Sequence, residues 1–591
     1  MSKTSPTAYK ASGGFETSTG TIYVSKPYRS TGSKKLRALI TFAPRNSAFD
    51  INNDSSSANE FRGFYSLFWI SIFLFPLQSY VRSIEASGRP LNLQFATMLS
   101  EDAITLALSD AVLVLSTGIC VPFAWAMKNG WIRHYWTRVI LQHLLQSSIL
   151  FGAISWTFNR NWPWVQSGFL TLHSLVMVMK MHSYITVNAQ LQQIAEQADY
   201  LYPQLVEATE SVGGWDKAVA VASARQAELD PQLNSSQRST PPNGSSNTYE
   251  STPIGTPTVP EGSATSFVDV KTANALRKRL LTVAAESKTA SVRDEDVGAR
   301  ATRRLPVKDY PEPPRMVRQE DRSEVLNPHP LVMHPDPQIS DMAKDYTELQ
   351  NELVSSGPTY VKWPENITWK NFAVYQLIPT LVYELEYPRT NRIRPVYVFE
   401  KTVATFGTFA LLYTVTESFI LPYTPHADQS FLRSLLDLAL PFMMAYLLLF
   451  YIIFECICNG FAELAYFADR QFYEDWWNST SWDEFSRKWN KPVYAFLLRH
   501  VYAATIMSYR VSRTTAMFVT FLISACAHEL VMTVVTRKFR MYLFTLQLIQ
   551  IPLIVLGRIP AVKRNRLMGN VVFWLGLYAG FPLLCVAYVA Y

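Results

Sequence analysis

The sequence predicts an all-α, polytopic membrane protein. Only 17% of its 591 residues are charged and 13% are aromatic, whereas about 25% of the residues of soluble proteins are charged. Runs of about 17 to 25 apolar residues, long enough to cross a bilayer, recur along the chain. The formal charge of +7 is small and its basic residues are scattered. These properties argue against a single soluble enzyme and against nucleic acid as a partner.

Taken in order along the chain, the apolar runs predict about nine transmembrane helices. They are Phe64 to Val81, Ala103 to Met127, Val139 to Phe158, Trp164 to Val187, Tyr397 to Leu421, Leu435 to Cys458, Thr514 to Val535, Met541 to Leu556, and Val571 to Tyr591. Basic residues precede the first run more often than they follow it, which favours a cytosolic amino terminus. A further run, Val493 to Met507, is interrupted by Arg499 and His500 and is expected at the membrane interface.

The polar stretches divide the predicted helices into groups. Residues 1–60 are rich in Ser, Thr, Lys and Arg without an apolar period, so we expect a disordered cytosolic arm. Residues 61–190 hold the first four helices. Residues 191–369 are predicted to be a polar, largely disordered linker, with Thr-Pro pairs between Asn234 and Thr265. The remaining five helices lie in residues 370–591.

Ionisable residues inside a membrane span are costly, and each is therefore a functional hypothesis. His528 and Glu529 interrupt the apolar run Thr514 to Val535, with His528 about fourteen residues from its start, or ~21 Å along a helix. A neutral imidazole can accept a proton at one nitrogen while donating from the other. A structural histidine bonded to a neighbouring helix is the alternative. Ser524, four residues earlier, lies on the same helix face, where either a nucleophile or a packing role is conceivable.

A second candidate is the segment F-Y-E-D-W-W-N, Phe472 to Asn478. Its aromatic density is also typical of the bilayer interface, so a headgroup-level belt is the alternative. Asn478 begins a glycosylation sequon with Ser479 and Thr480, so it either carries sugar or takes part in chemistry. Beyond it, basic residues including Arg487 and Arg499 could hold phosphates of a lipid or of coenzyme A, although ordinary snorkelling explains them nearly as well.

No metal site is predicted. The residue four beyond His528 is Met532, so the two-histidine helical zinc arrangement is absent. The five cysteines lie in or beside apolar runs and include only one C-x-C pair, which favours buried thiols over a metal site or a disulfide framework.

The F-Y-E-D-W-W-N segment, followed about fifty residues later by His528-Glu529 in an apolar helix, resembles the membrane-bound O-acyltransferase family. The likeness extends through Tyr387 to Arg394 and Gly569-Asn570. Within the family, Phe496 to Tyr502, Phe61 to Phe64 and Leu530 look most like the fungal sterol O-acyltransferases. Diacylglycerol O-acyltransferases are the alternative branch.

The resemblance implies a fold and roles for particular residues. Residues 370–591 would be the catalytic part, with His528 as the base and Asn478 as its partner across a chamber in the membrane. Trp477 would line that chamber, Ser524 would lie near the thioester, and Tyr473 would shape the acyl-CoA tunnel. The implied substrates are acyl-CoA and a sterol, with no further cofactor, in a homodimer or larger homo-oligomer of the endoplasmic reticulum membrane.

Two non-enzymatic classes are also compatible with the composition. A transporter could bury a His and a Glu, but two related halves with broken helices would be expected, and no such repeat is visible. A membrane scaffold would tolerate the loss of His528, and an activity assay separates that alternative from an enzyme.

Overall fold

The computed structural model describes residues 14–17, 20–23, 37–38, 42, 44–47, 70, 74, 76–85, 88, 93–236, 267–268, 329–355, 361–424, 430–509, 511–557 and 566–590. These residues are mostly helical, as predicted. The strands are short: Gly14–Thr17 pairs antiparallel with Gly20–Tyr23, and Arg37–Ala38 pairs with Phe267–Val268.

The α-helices are Leu93–Ser100, Ala103–Ser116, Cys120–Lys128, Tyr135–Asn159, Trp164–Glu210, Trp215–Ser236, Pro337–Glu352, Trp369–Leu377, Pro395–Val415, Phe431–Phe450, Cys458–Leu464, Trp482–Lys488, Lys491–Phe496, Ala504–Tyr509, Arg513–Thr536, Tyr542–Gly557 and Arg566–Ala590. Single turns of 3₁₀-helix are Thr117–Ile119, Pro330–Met333, Leu421–Tyr423 and Trp476–Asn478. The π-helical stretches are Thr416–Ile420, Tyr451–Ile457 and Leu497–Ala503.

Among the described residues, five helices are long and apolar enough to cross a membrane. They are Ala96–Lys128, Tyr135–Asn159, Pro395–Tyr423, Phe431–Leu464 and Arg513–Thr536. Each contains most or all of one predicted span. Two more predicted spans fall on the helices Trp164–Glu210 and Arg566–Ala590, and one on the shorter apolar helix Tyr542–Val555. Phe64 to Val81 lies largely outside the described residues, so the count of nine is not confirmed.

The described residues separate into two compact units. The larger comprises Ala43–Ile185, Thr368–Tyr383 and Pro388–Tyr591, and it contains the five membrane helices. One packing centre in it is the fully buried Tyr184, whose ring lies 5.0 Å from Phe372 and 4.8 Å from Tyr383. Lys180, one turn earlier, donates to the carbonyls of Tyr375 and Ile378, each at 2.8 Å. This buried ammonium satisfies the carbonyls that end the helix Trp369–Leu377.

The smaller unit contains Thr186–Ile367, within which the sequence predicts a linker. Helices Trp215–Ser236 and Pro337–Glu352 and the end of Trp164–Glu210 here enclose an apolar core. Its buried members are Leu205, Ala218, Ala222, Leu331, Ile339 and Ala343. The prediction of disorder is therefore wrong for these helices, because they bury a shared apolar face that the average composition of the segment hides. Most of the Thr-Pro stretch lies outside the described residues.

The run Val493 to Met507 does not form a separate surface helix in the structure. Helical residues continue from Lys491 to Tyr509, including the π-helical Leu497–Ala503. His500 on this stretch is buried, with Nε2 lying 2.8 Å from the Ser183 hydroxyl. The ring of Phe496 lies 5.9 Å from that of His182. One face of this stretch thus packs against the helix Trp164–Glu210, and its expected position at the membrane interface stays a prediction.

Candidate active site

His528 lies on the helix Arg513–Thr536, hereafter the His528 helix. The Ser512 hydroxyl caps this helix by accepting the Thr515 N–H at 3.1 Å. The His528 side chain is exposed, and its Nδ1 lies 2.7 Å from the Ser524 carbonyl oxygen of the preceding turn. Because a carbonyl only accepts hydrogen bonds, Nδ1 carries the proton. The lone pair of Nε2 is therefore available to accept a proton from a substrate.

Ser524 lies beside this imidazole without being activated by it. Its hydroxyl is 3.4 Å from Nδ1 of His528. Since that nitrogen donates to a carbonyl, it cannot take the serine proton at the same time. The arrangement does not support the serine-nucleophile alternative, whereas it places a polar hydroxyl next to the candidate base.

Glu529 has a different role from its neighbour. Its carboxylate is buried and accepts the backbone N–H of Met541 at 2.8 Å and of Phe544 at 3.1 Å. The Tyr588 hydroxyl donates to the same carboxylate at 2.8 to 2.9 Å. Glu529 thus caps the next helix and joins it to the last one. Of the two ionisable residues in this span, only His528 presents its side chain outward.

The motif loop, residues 472–478, is anchored by its aromatic rings. Tyr473 and Trp476 are both buried, and their ring centroids lie 4.8 and 5.3 Å from that of Phe450 in the membrane helix before the loop. Trp476 also lies 4.9 Å from Trp489, in an edge-to-face contact. These two rings are core residues of the larger unit, so the alternative of a headgroup-level belt is wrong for them.

The loop ends with Trp477, which is half-buried, and Asn478, which is exposed. The Trp477 carbonyl accepts from the Asn570 amide at 3.0 Å and from the Trp574 indole N–H at 3.1 Å. The Asn478 side chain is exposed, and its amide nitrogen lies 3.4 Å from a carboxylate oxygen of Asp475. The last helix therefore fixes the backbone from which Asn478 projects. The described side chains of Asn478 and His528 do not hydrogen-bond to each other.

The last helix can form these hydrogen bonds because it approaches the chain just after the motif loop closely at Gly569. A Cβ atom built on Gly569 would lie 2.7 Å from the Thr480 carbonyl oxygen, closer than such atoms can pack. The neighbouring Asn570 amide also donates to the Ser479 carbonyl at 2.9 Å. Gly569-Asn570 contributes to the family resemblance, and the structure gives both residues a physical role.

A charge network continues the motif loop into the helix Trp482–Lys488. Lys488 contacts Asp475 at 3.0 Å and Glu484 at 2.7 Å. Glu484 also accepts the Thr480 N–H at 2.9 Å. Burial alone would raise the pKa of Glu484, but the hydrogen bonds from Lys488 and Thr480 outweigh it and lower that pKa. The ionised carboxylate thus ties the loop to this helix.

A second amide, Asn490, was not identified from the sequence. It is half-buried and caps the helix Lys491–Phe496, with its Oδ1 accepting the Val493 N–H at 3.1 Å. Because the cap uses the amide oxygen, any further donor role of Asn490 falls to its N–H₂ group. The N-cap position before a proline was the sequence signal that could have identified it.

The two arginines predicted to bind phosphates lie in separate environments. Arg487 pairs with Asp483 of its own helix at 3.1 Å and is largely exposed. Arg499 is half-buried in the π-helical stretch beside His500. Neither environment tests phosphate binding. Within the part of the chain that the structure describes, no three His, Cys, Asp or Glu side chains are grouped as metal ligands would be.

Comparison with known proteins agrees with these features. The family model described as MBOAT, membrane-bound O-acyltransferase family, matches residues 271–590. "Probable sterol O-acyltransferase 1" of Schizosaccharomyces pombe is 30% identical over 93% of this chain and 86% of its own. "Sterol O-acyltransferase 2" of Candida albicans is 30% identical over 95% of this chain and 81% of its own.

A relative from the other branch matches a shorter part. "Diacylglycerol O-acyltransferase 1-2" of Oryza sativa is 34% identical over 37% of this chain and 47% of its own. The family match and the full-length similarities confirm the family predicted from the motif loop and His528. This chain is a multi-pass membrane acyltransferase that belongs to the membrane-bound O-acyltransferase family.

Proposed function

We propose that the protein lies in the endoplasmic reticulum membrane, where it transfers a fatty acyl group from acyl-CoA to the 3β-hydroxyl of an ergosterol-type sterol and so makes sterol esters for storage. The observation that carries this proposal is the extent of similarity. Relatives named sterol O-acyltransferase from Schizosaccharomyces pombe and Candida albicans match over 93% and 95% of the chain. The relatives with that name that match over only 38 to 39% of the chain are 39 to 40% identical, whereas the relative named for diacylglycerol is 34% identical over 37%.

The geometry of His528 supports the role of general base. A sterol hydroxyl is too weak an acid to ionise in water, so its proton must be removed as the new bond forms. In the proposed reaction the hydroxyl proton moves to Nε2 of His528, and the sterol oxygen attacks the thioester carbonyl carbon. Collapse of the tetrahedral intermediate breaks the carbon–sulfur bond, and the departing coenzyme A thiolate takes the proton from Nε2 of His528 and leaves as the thiol.

The tetrahedral intermediate carries a negative oxygen that requires a hydrogen-bond donor. A side-chain amide provides N–H groups without adding charge, and a donor fixed in advance contributes most. We assign this role to Asn478, with the capped Asn490 as the second candidate. Substituting each by alanine in separate variants distinguishes them, because loss of one oxyanion donor lowers kcat by about 10² to 10³.

The acceptor is tested by competition. Purified protein receives oleoyl-CoA with equimolar ergosterol and dioleoylglycerol in mixed micelles, and the products are separated and quantified. We expect sterol ester to predominate, because a rigid sterol with one hydroxyl suits an apolar slot, whereas diacylglycerol adds two flexible chains and polar carbonyls. Predominant triacylglycerol would reject the sterol assignment and favour the diacylglycerol branch without changing the role proposed for His528.

The predicted sequon gives an independent check on Asn478. If this residue takes part in the reaction, it carries no sugar. A mobility shift on glycosidase treatment that is lost in Asn478→Gln would exclude it from the active site.

A further inference from the structure

A buried carboxylate outside the candidate active site connects several distant parts of the chain. Glu455 lies in the membrane helix Phe431–Leu464, within its π-helical stretch Tyr451–Ile457, and its side chain is fully buried. Carboxylates at membrane depth are costly unless they are paired and hydrogen-bonded. π-Helical turns are often found at functional sites. Glu455 therefore requires an explanation that packing alone does not give.

Its two oxygens are well supplied with donors. Oε1 accepts from the Lys401 ammonium at 2.8 Å, which pairs the charge. Oε2 accepts from the Tyr473 hydroxyl at 2.9 Å and from the Asn459 amide at 3.3 Å. The Ser47 hydroxyl also donates to Oε2. Glu455 thus connects the motif loop, through Tyr473, to a residue near the amino terminus.

Ser47 belongs to the arm segment, residues 44–47, which lies within the predicted disordered arm. The structure corrects that expectation for these residues. Ser47 is 1% exposed, and Arg45 is held through both backbone and side chain. Its N–H donates to the Ala468 carbonyl at 3.0 Å, its carbonyl accepts the Arg470 N–H at 3.0 Å, and its guanidinium contacts Asp469 at 2.8 Å.

The arm segment is thus attached directly before the motif loop. The backbone of residues 468–470 forms hydrogen bonds with the backbone of Arg45. The hydroxyl groups of Tyr473 and Ser47 both donate to Oε2 of Glu455. The Tyr473 ring in turn lies 6.3 Å from that of Trp477, which is next to Asn478. One buried ring thus lies between the Glu455 carboxylate and Trp477, the neighbour of Asn478.

We propose that Ser47 is a positioning residue for the acyl-CoA site. It fixes the Glu455 carboxylate, which fixes Tyr473 in the wall of the acyl-CoA tunnel, and the arm segment is consequently part of the active enzyme. This inference rests on the proposed function and on the role in shaping the acyl-CoA tunnel that the family resemblance implies for Tyr473. Lys401 neutralises the carboxylate charge, so the network holds a position and does not move a proton.

The experiment measures KM for oleoyl-CoA and kcat in the purified full-length chain. Ser47→Ala removes one hydrogen bond to a charged group, so we expect a rise in KM of about 3- to 10-fold with kcat changed less than about twofold. Ser47→Thr keeps a hydroxyl at this position, so its KM should be closer to that of the parent chain than the KM of Ser47→Ala is. The matched control is Arg433→Ala, which removes an exposed ion pair to Asp437 on the same membrane helix and should leave both constants unchanged.

A second variant guards against loss of folding in Ser47→Ala. Arg45→Gln loosens the arm segment through Asp469 without touching Glu455, and it should raise the same KM. A double-mutant cycle then tests the connection: if Ser47 acts through Tyr473, Ser47→Ala adds little to the KM of Tyr473→Phe.

Additive effects in that cycle, or a loss confined to kcat and thermal stability, would overturn the proposal in favour of a merely structural role. The KM is measured with whichever acceptor the enzyme uses. A wrong sterol assignment therefore leaves this test intact.

Discussion

The motif loop and the His528 helix hold their exposed side chains in different ways. Asn478 projects from a backbone fixed by distant groups, including the Asn570 amide and the Phe450 ring. His528 is oriented by its own helix, through the Ser524 carbonyl one turn away. The position of the loop therefore depends on tertiary packing, whereas the orientation of the imidazole is set within its own helix. Changes elsewhere should disturb the loop first.

The largest expected effect comes from removing the imidazole. His528→Ala should lower acyl transfer by about 10² to 10⁴, the usual contribution of a general base. Because the side chain is exposed and bonded only to its own helix, the thermal unfolding midpoint in detergent should stay unchanged. The control is Cys526→Ala, an exposed position on the same helix, which should retain full activity. Retention of more than a few per cent of activity in His528→Ala would contradict the base assignment.

Glu529, the adjacent residue, should behave in the opposite way. The backbone N–H groups of Met541 and Phe544 each donate to a different oxygen of Glu529. Glu529→Gln replaces one of these oxygens by an N–H₂ group, so one of the two buried N–H groups loses its acceptor. We expect destabilisation of about 1 to 3 kcal/mol. It should appear as a lower unfolding midpoint, with activity lost in proportion to the unfolded fraction. An unchanged midpoint with abolished activity would assign Glu529 to the chemistry and break the contrast with His528.

The dependence of the loop on the last helix is tested at Gly569. Gly569→Ala places a methyl group 2.7 Å from the Thr480 carbonyl, and such overpacking typically costs about 1 to 3 kcal/mol. We expect reduced activity from a displaced loop, measured beside thermal stability. Gly580→Ala on the same helix is the matched control, because a Cβ there meets nothing within 4 Å. Equal behaviour of the two variants would show that the close approach is unimportant.

The smallest expected effect concerns the smaller unit, which contains neither the motif loop nor the His528 helix. His329 lies against the Trp215 ring at 5.4 Å, and burial lowers its pKa below the usual 6.5. The unfolded chain therefore binds this proton more readily, so the unit loses stability as pH falls from 6.5 towards the lower folded pKa. Hydrogen exchange in Pro337–Glu352 should quicken at low pH, after correction for the intrinsic rate. His329→Gln should reduce that dependence, and an undiminished dependence would assign it to another group.

Much of the fold and part of the site could be predicted from the sequence. Apolar length alone located the five described membrane helices, and the F-Y-E-D-W-W-N segment with His528 was enough to identify the family. The sequence could not assign different roles to His528 and Glu529, since the acceptor and donors that distinguish them lie on other turns and other helices. The partners of Glu455 were equally hidden: Lys401 lies 54 residues away and Ser47 lies 408 away.

The small unit shows a different limit. The helix Pro337–Glu352 buries Ile339 and Ala343 and packs Met342 against the same core, at the spacing i, i+3, i+4, a pattern visible in the sequence. Averaging composition over residues 191–369 obscured it, because polar residues dominate that range. A window of one helix length, applied within the predicted linker, would have located it.

The attachment of the arm segment also sets an order of events during synthesis. Arg45 and Asp469 are separated by 424 residues, which take about 20 to 85 s to translate at about 5–20 residues per second. Ser47 leaves the ribosome long before its acceptor exists, and the hydrogen-bond network of Glu455 stays incomplete until the sixth predicted span and the motif loop have been made. A chain that terminates before Asp469 lacks the carboxylate that Arg45 contacts, so the attachment of the arm segment is a late event.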